Sequence, residues 1–87
     1  IYPMGTLVRL ENNLLGVVVR PNRESLLHPV IRVVMDAKAG KKLKPRELDL
    51  LDHKGSGKGG YRITGNEPPE KWGVDPKRFM NEPQPYQ

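Results

Sequence analysis

Apolar and polar residues alternate with a period of two through the first half of the chain. In Thr6-Leu7-Val8-Arg9-Leu10-Glu11, Val8 and Leu10 fall on one face of an extended strand and Leu7, Arg9 and Glu11 on the other. Asn12-Asn13 predicts a tight turn, because asparagine tolerates positive φ. A second run follows over residues 14–20. Its three consecutive valines suit a pleated surface and are stiff in a helix. Gly16 inside that run predicts a bulge or a sharp bend. The two runs predict a hairpin with a two-residue link. Residues 21–25 break the pattern, and a third strand is predicted over residues 29–36, where Pro29 is tolerable as the first residue. Ile31, Val33 and Met35 form one stripe of it; Val30, Arg32 and Val34 form the other. Gly40 marks the next turn. Residues 43–51 read two ways. Leu48 and Leu50 alternate as in a strand, whereas Leu48 and Leu51 with Pro45 at a first helical position suit one helical turn; the short edge strand is favoured. Residues 61–64 give a fifth, very short strand.

The pattern changes after that. Residues 67–73 predict one helical turn stopped by Gly73, and Asp75-Pro76 supplies an N-cap residue followed by proline at N1. Short strands with tight turns predict an all-β fold, a small SH3-like β-barrel over residues 1–63. The alternative is an open three-stranded meander. Residues 64–80, with short helical turns, are expected to pack on the barrel, and residues 81–87 to form a disordered tail. Trp72, Phe79 and Met80 are large apolar groups in a polar segment, so they are expected to fold back on the barrel. Full burial would make Trp72→Ala cost about 3–5 kcal/mol. The competing reading is a latch that inserts into another domain.

Composition narrows the function. Residues 1–36 hold 18 hydrophobic side chains and residues 37–87 only 13, so most of the core comes from the first part. The net charge is +5, and residues 37–60 alone carry +4 of it. Lys38, Lys41, Lys42, Lys44 and Arg46 cluster around the predicted turn. Such a basic loop can meet a partner's phosphates through charge alone, bind an acidic protein, or serve as a solvated edge that resists aggregation. Stacking platforms for bases are scarce, with Tyr2 and Tyr61 the sole aromatics before Trp72. The absence of cysteine removes disulfides, thiolate metal ligands and thiol nucleophiles. No apolar run approaches the ~20 residues of a membrane-spanning helix, and no signal peptide is visible, so a cytoplasmic module with no membrane partner is expected. The missing initiator methionine suggests a piece of a longer protein.

The candidate catalytic residues lack the partners that their chemistry needs. Gly55-Ser56-Gly57-Lys58-Gly59-Gly60 imitates a phosphate loop, but Asp52 stands where the first glycine belongs and Gly59 where the hydroxyl belongs. It reads as a solvated linker. His28 and His53 lack the third and fourth ligands of a zinc site. Neither Ser25 nor Ser56 sits in a nucleophile turn, and the carboxylates are scattered. No catalytic residue, metal or cofactor is assigned.

Six stretches carry a family resemblance: Tyr2-Pro3-Met4-Gly5-Thr6-Leu7-Val8-Arg9-Leu10, Gly16-Val17-Val18-Val19-Arg20, His28-Pro29-Val30-Ile31-Arg32-Val33, Glu47-Leu48-Asp49-Leu50, Tyr61-Arg62-Ile63 and Trp72-Gly73-Val74-Asp75-Pro76. In order and spacing, over residues 1–80, they resemble the C-terminal accessory segment that follows the catalytic domain in some bacterial HD-GYP-type cyclic di-GMP phosphohydrolases. The resemblance implies a parent that hydrolyses cyclic di-GMP at a histidine/aspartate-bound metal centre. It carries no catalytic residue over to this chain: Asp52-His53 reverses the metal motif, and Gly60-Tyr61 is followed by Arg62 instead of proline. The implied role is a non-catalytic accessory or interaction module, with the catalytic domain of the same chain, or another protein, as partner. A shorter likeness, Gly5-Thr6-Leu7-Val8-Arg9-Leu10 followed by Gly16-Val17-Val18-Val19, resembles KOW-like and other SH3-like barrels of the translation and transcription machinery. It keeps nucleic-acid binding through the basic loop as the alternative.

Overall fold

The structure is a computed structural model that describes residues 2–53 and 60–80. Five strands form one antiparallel sheet: β1 (Leu7–Leu10), β2 (Leu14–Arg20), β3 (Val30–Asp36), β4 (Lys41–Asp49) and β5 (Ile63–Asn66). Their order across the sheet is β4-β3-β2-β1-β5. A 3₁₀ turn (Leu50–His53) follows β4, and two one-turn helices, α1 (Pro69–Trp72) and α2 (Lys77–Met80), follow β5.

The hairpin between β1 and β2 has three linking residues, not two, because β1 ends at Leu10. Asn13 takes the left-handed conformation, with φ 68°, and its N–H donates to the Leu10 carbonyl at 2.9 Å. Asn12 Oδ1 accepts from the Leu14 N–H at 3.1 Å. This is the usual three-residue solution, a turn closed by one left-handed residue.

Val8, Leu10, Val18, Ile31, Val33, Leu48, Leu50 and Ile63 form one buried cluster. It draws on both edge strands, β4 and β5, as well as the centre of the sheet. That is possible only if the sheet curls on itself, so the fold is a small all-β barrel. Gly16 lies at a register shift between β2 and β3. A Cβ there would stand 2.6 Å from Ile31 Cδ1 and 3.2 Å from the Arg32 carbonyl oxygen, so only glycine lets β2 and β3 approach this closely.

The barrel also has an apolar outer face. Leu7, Leu15, Val17, Val34, Met35 and Val74 make a second buried cluster, with Ala37, Trp72, Phe79 and Met80 packed against it. Here the expected stripes on β3 need correction. Leu15 pairs with Met35 but Gly16 pairs with Val33, so Val34 is an extra residue in the ladder. This bulge interrupts the alternation. Val33 stays in the inner cluster, and Val34 and Met35 both join the outer one.

Beyond Ile63 the chain keeps to the barrel. β5 runs on to Asn66, two residues past the expected end of the fifth strand. The Glu67 N–H then donates to the Leu7 carbonyl at 2.8 Å. Gly73 caps α1 in the left-handed region, with φ 66°, and directs buried Val74 onto the outer cluster. Asp75 Oδ1 accepts from the Lys77 N–H at 3.2 Å at the start of α2. The expected tail, residues 81–87, lies outside the described residues.

Candidate interaction surfaces

Most of the basic cluster lies on the edge strand, which begins two residues before the expected span of 43–51. β4 begins at Lys41, so Lys41, Lys42, Lys44 and Arg46 lie on the sheet edge, and Lys38 alone sits in the turn. Asp36 shapes that turn, its Oδ1 accepting from the N–H groups of Lys38 (3.0 Å) and Ala39 (3.1 Å), while Gly40 supplies a φ of 65°. The ladder between β3 and β4 slips between Val33 and Met35, opposite Lys44 and Pro45, where a proline costs no ladder bond. All five basic side chains are exposed. They are not equivalent, however. Lys42 Nζ donates to the Gly73 carbonyl at 2.9 Å and so holds the end of α1. Beside this bond lies a cavity of about 240 Å³ lined by Val34, Lys42, Pro45, Val74, Arg78 and Phe79, among others.

Trp72, Phe79 and Met80 are all half-buried against the outer cluster. Trp72 is fixed by polar contacts as much as by apolar ones. Its Nε1–H donates to Glu67 Oε1 at 2.9 Å. The other carboxylate oxygen of Glu67 accepts from Arg9 Nε at 3.0 Å, and Arg9 also donates to Asn13 Oδ1 at 3.0 Å. The Arg9 guanidinium stands 5.6 Å from the Trp72 ring centre and the Lys71 ammonium 5.3 Å, both in cation–π range. The Trp72 and Arg9 hydrogen bonds hold the Glu67 carboxyl below its ordinary range, and this outweighs its partial burial. This knot was not legible in the sequence, because Arg9 and Glu67 at its centre are 58 residues apart.

The opposite end of the barrel has a different character. Asn22 Nδ2 donates to the His28 carbonyl and to Asp49 Oδ1, at 2.9 Å for the latter. Ser25 N–H donates to the Asn22 carbonyl (3.2 Å) and His28 N–H to the Ser25 carbonyl (3.1 Å). Ser25 Oγ and His28 Nδ1 are 2.6 Å apart. Leu26 and Leu27, at the tip of this loop, are exposed. Sequence reading passed over them; two adjacent leucines in an otherwise polar break were the available signal. Nearby, Arg20 forms a bidentate pair with Glu47, at 3.0 and 3.2 Å, which raises the Arg20 pKa and lowers that of Glu47.

His28 is thus a loop brace, and His53 packs its ring 4.4 Å from that of Tyr61. Among the described residues, no three histidine, aspartate or glutamate side chains are placed to share a metal ion. No helix among them is long and apolar enough to cross a membrane. Most of the glycine-rich stretch, residues 54–59, lies outside the described residues.

Comparison with known proteins supplies the family. No solved structure matches the chain. Among curated proteins, it is 40% identical over 74 residues to the cyclic di-GMP phosphodiesterase PA4108 of Pseudomonas aeruginosa, a match covering 83% of this chain. The same match covers 16% of that relative, so the chain spans a small part of its length. The family model of the KOW domain associated with HD domain matches residues 7–56, which are β1 to β4 and the 3₁₀ turn with the start of the glycine-rich stretch. The chain belongs to this family of KOW domains associated with HD domains.

Proposed function

We propose that this domain is a non-catalytic accessory module of a bacterial, cytoplasmic cyclic di-GMP phosphodiesterase-like signalling protein, and that it docks on the HD catalytic domain of the same polypeptide. The observation that carries this reading is the family match over residues 7–56, joined by the 40% identity to a cyclic di-GMP phosphodiesterase. The local chemistry agrees with it. His28 and His53 are engaged with Ser25 and Tyr61, and Glu67 is committed to Arg9 and Trp72. In this reading the domain spans residues 1–63 with 64–80 as its packed extension. The test is direct. The purified domain, with manganese or iron, is expected to hydrolyse no cyclic di-GMP under conditions where the full-length polypeptide turns it over. Steady, metal-dependent turnover by the domain alone would overturn the reading.

A second reading is favoured by one observation, the row of exposed Lys41, Lys44 and Arg46 along the β4 edge with Lys38 beside it. These can contact the phosphates of a nucleic acid. Binding is then expected at a Kd of about 10⁻⁴–10⁻⁶ M and to collapse as salt rises. Replacing Lys41, Lys44 and Arg46 by glutamate should abolish it; Lys42 is left alone because it holds Gly73. Amide signals along β4 that stay fixed when RNA and DNA are added at low salt would remove this reading.

A further inference from the structure

Among the described residues, three large apolar side chains stand out in solvent: Met4, Leu26 and Leu27, with 56%, 50% and 61% of their surface exposed. Topology places all three at one end of the barrel. The Gly5 N–H donates to the Val18 carbonyl, which ties the segment around Met4 to the last part of β2. β2 leads directly into the loop that carries the leucines, and that loop is bonded to the end of β4 through Asn22 and Asp49. The lysine-bearing turn between β3 and β4 is at the other end.

The loop is built rather than slack. Asn22, Ser25, His28 and Asp49 satisfy one another, and Ser25 to His28 close a turn whose two central residues are Leu26 and Leu27. The polar groups of Asn22, Ser25 and His28 are turned inward on the loop itself, and the leucines are exposed together with Arg23 and Glu24. An apolar pair held in a fixed position loses little conformational freedom on association, which is what a docking surface requires. Two adjacent exposed leucines have no role in either buried cluster of the barrel.

We propose that the Leu26-Leu27 loop is the surface by which this domain packs on an apolar patch of its HD domain. The inference rests on the accessory-module reading above and adds to it the site of contact. Two observations select this occupant. The family is defined by its association with an HD domain, and most of the curated relative lies outside the matched region. Tyr2 to Thr6 lead into β1 at the same end of the barrel as the loop, so any polypeptide joined ahead of them reaches the domain at the end that carries the leucines.

The experiment is hydrogen–deuterium exchange on the full-length polypeptide, wild type and L26D/L27D, with cross-links mapped between the two domains. Both leucines are exposed, so the barrel's own melt should be unchanged; L26A/L27A, which adds no charge, serves as the second variant. Peptides covering residues 21–29 are expected to exchange on the order of tenfold more slowly in the wild type than in either variant. A peptide of the HD domain should lose protection in parallel. Cross-links to the HD domain from the Lys38–Lys44 end, with residues 21–29 unprotected, would overturn this surface and leave the accessory reading standing. No contact of any part of this domain with an HD domain would remove both. Protection of residues 21–29 that appears only with anionic vesicles would replace the HD domain by a membrane and overturn the proposal.

Discussion

Glu67 joins the barrel to everything that follows β5, so removing its charge should loosen the C-terminal segment by a calculable amount. Its side chain is 15% exposed and that of Arg9 28%. It accepts two hydrogen bonds, from Trp72 Nε1 and Arg9 Nε. A hydrogen bond to a charged group contributes about 1.5–3 kcal/mol when well buried, and partial exposure moves each toward or below the low end. We therefore expect Glu67→Ala to cost about 2 kcal/mol. Glu67→Gln should cost about half as much, since its amide oxygen still accepts from Trp72 but no longer pairs with the charge on Arg9. With a urea m-value of about 1 kcal/mol/M for a domain of this size, Glu67→Ala should lower the urea midpoint by about 2 M. The pH dependence gives an independent check. The folded carboxyl titrates below its unfolded value of about 4.3, so its contribution is complete above that value and is lost as pH falls through the folded one. The stability gap between wild type and Glu67→Gln should be full at neutral pH and close on acidification below about pH 4. Urea titrations at several pH values measure it. A gap that is absent at neutral pH, or that persists unchanged in acid, would refute the reasoning.

Gly16→Ala should destabilise the barrel by about 1–3 kcal/mol, because the new methyl meets Ile31 Cδ1 and the Arg32 carbonyl, and a thermal melt reads the loss. Ile31→Val, which deletes that Cδ1, should recover part of it in the double variant; no recovery would mean that the backbone contact dominates. Trp72→Ala should cost about 2 kcal/mol, less than full burial would imply, and should be non-additive with Glu67→Ala because the two share a hydrogen bond. Arg20→Ala should change stability by less than about 1 kcal/mol despite its bidentate geometry, since the side chains are 57% and 43% exposed, and rising salt should erase the effect.

What could be read from the sequence was what depends on neighbours in the chain. The alternation around Val8 and Leu10, the valine run after Gly16, Gly73 at a helix end and Asp75 at a helix start all took the local form that their chemistry dictates. The family was legible too, because short motifs in a fixed order survive where single residues do not. What stayed hidden depends on pairing between distant strands. The extra residue at Val34 exists only in relation to Leu15 and Gly16, so no inspection of β3 alone reveals it. The edge strand favoured over residues 43–51 is there, but its start was hidden: Lys41 and Lys42 looked like part of the turn around Gly40, yet their backbone already pairs with β3. The Leu26-Leu27 tip escaped notice because periodicity is blind to loops.

The bulge at Val34 makes the length of β3 as consequential as its composition. With the extra residue, one strand feeds Val33 to the interior and Val34 and Met35 to the surface that the C-terminal segment covers. Deleting Val34 would restore strict alternation, with Val33 still opposite Gly16 and Met35 still opposite Leu15. Met35 would keep its outward place, but the outer face would lose the Val34 side chain that lines the cavity beside Val74 and Phe79. Members of this family should accordingly vary in the identity of these residues long before they vary in their number, and insertions should collect in the turn around Lys38–Gly40, where no second surface depends on the count.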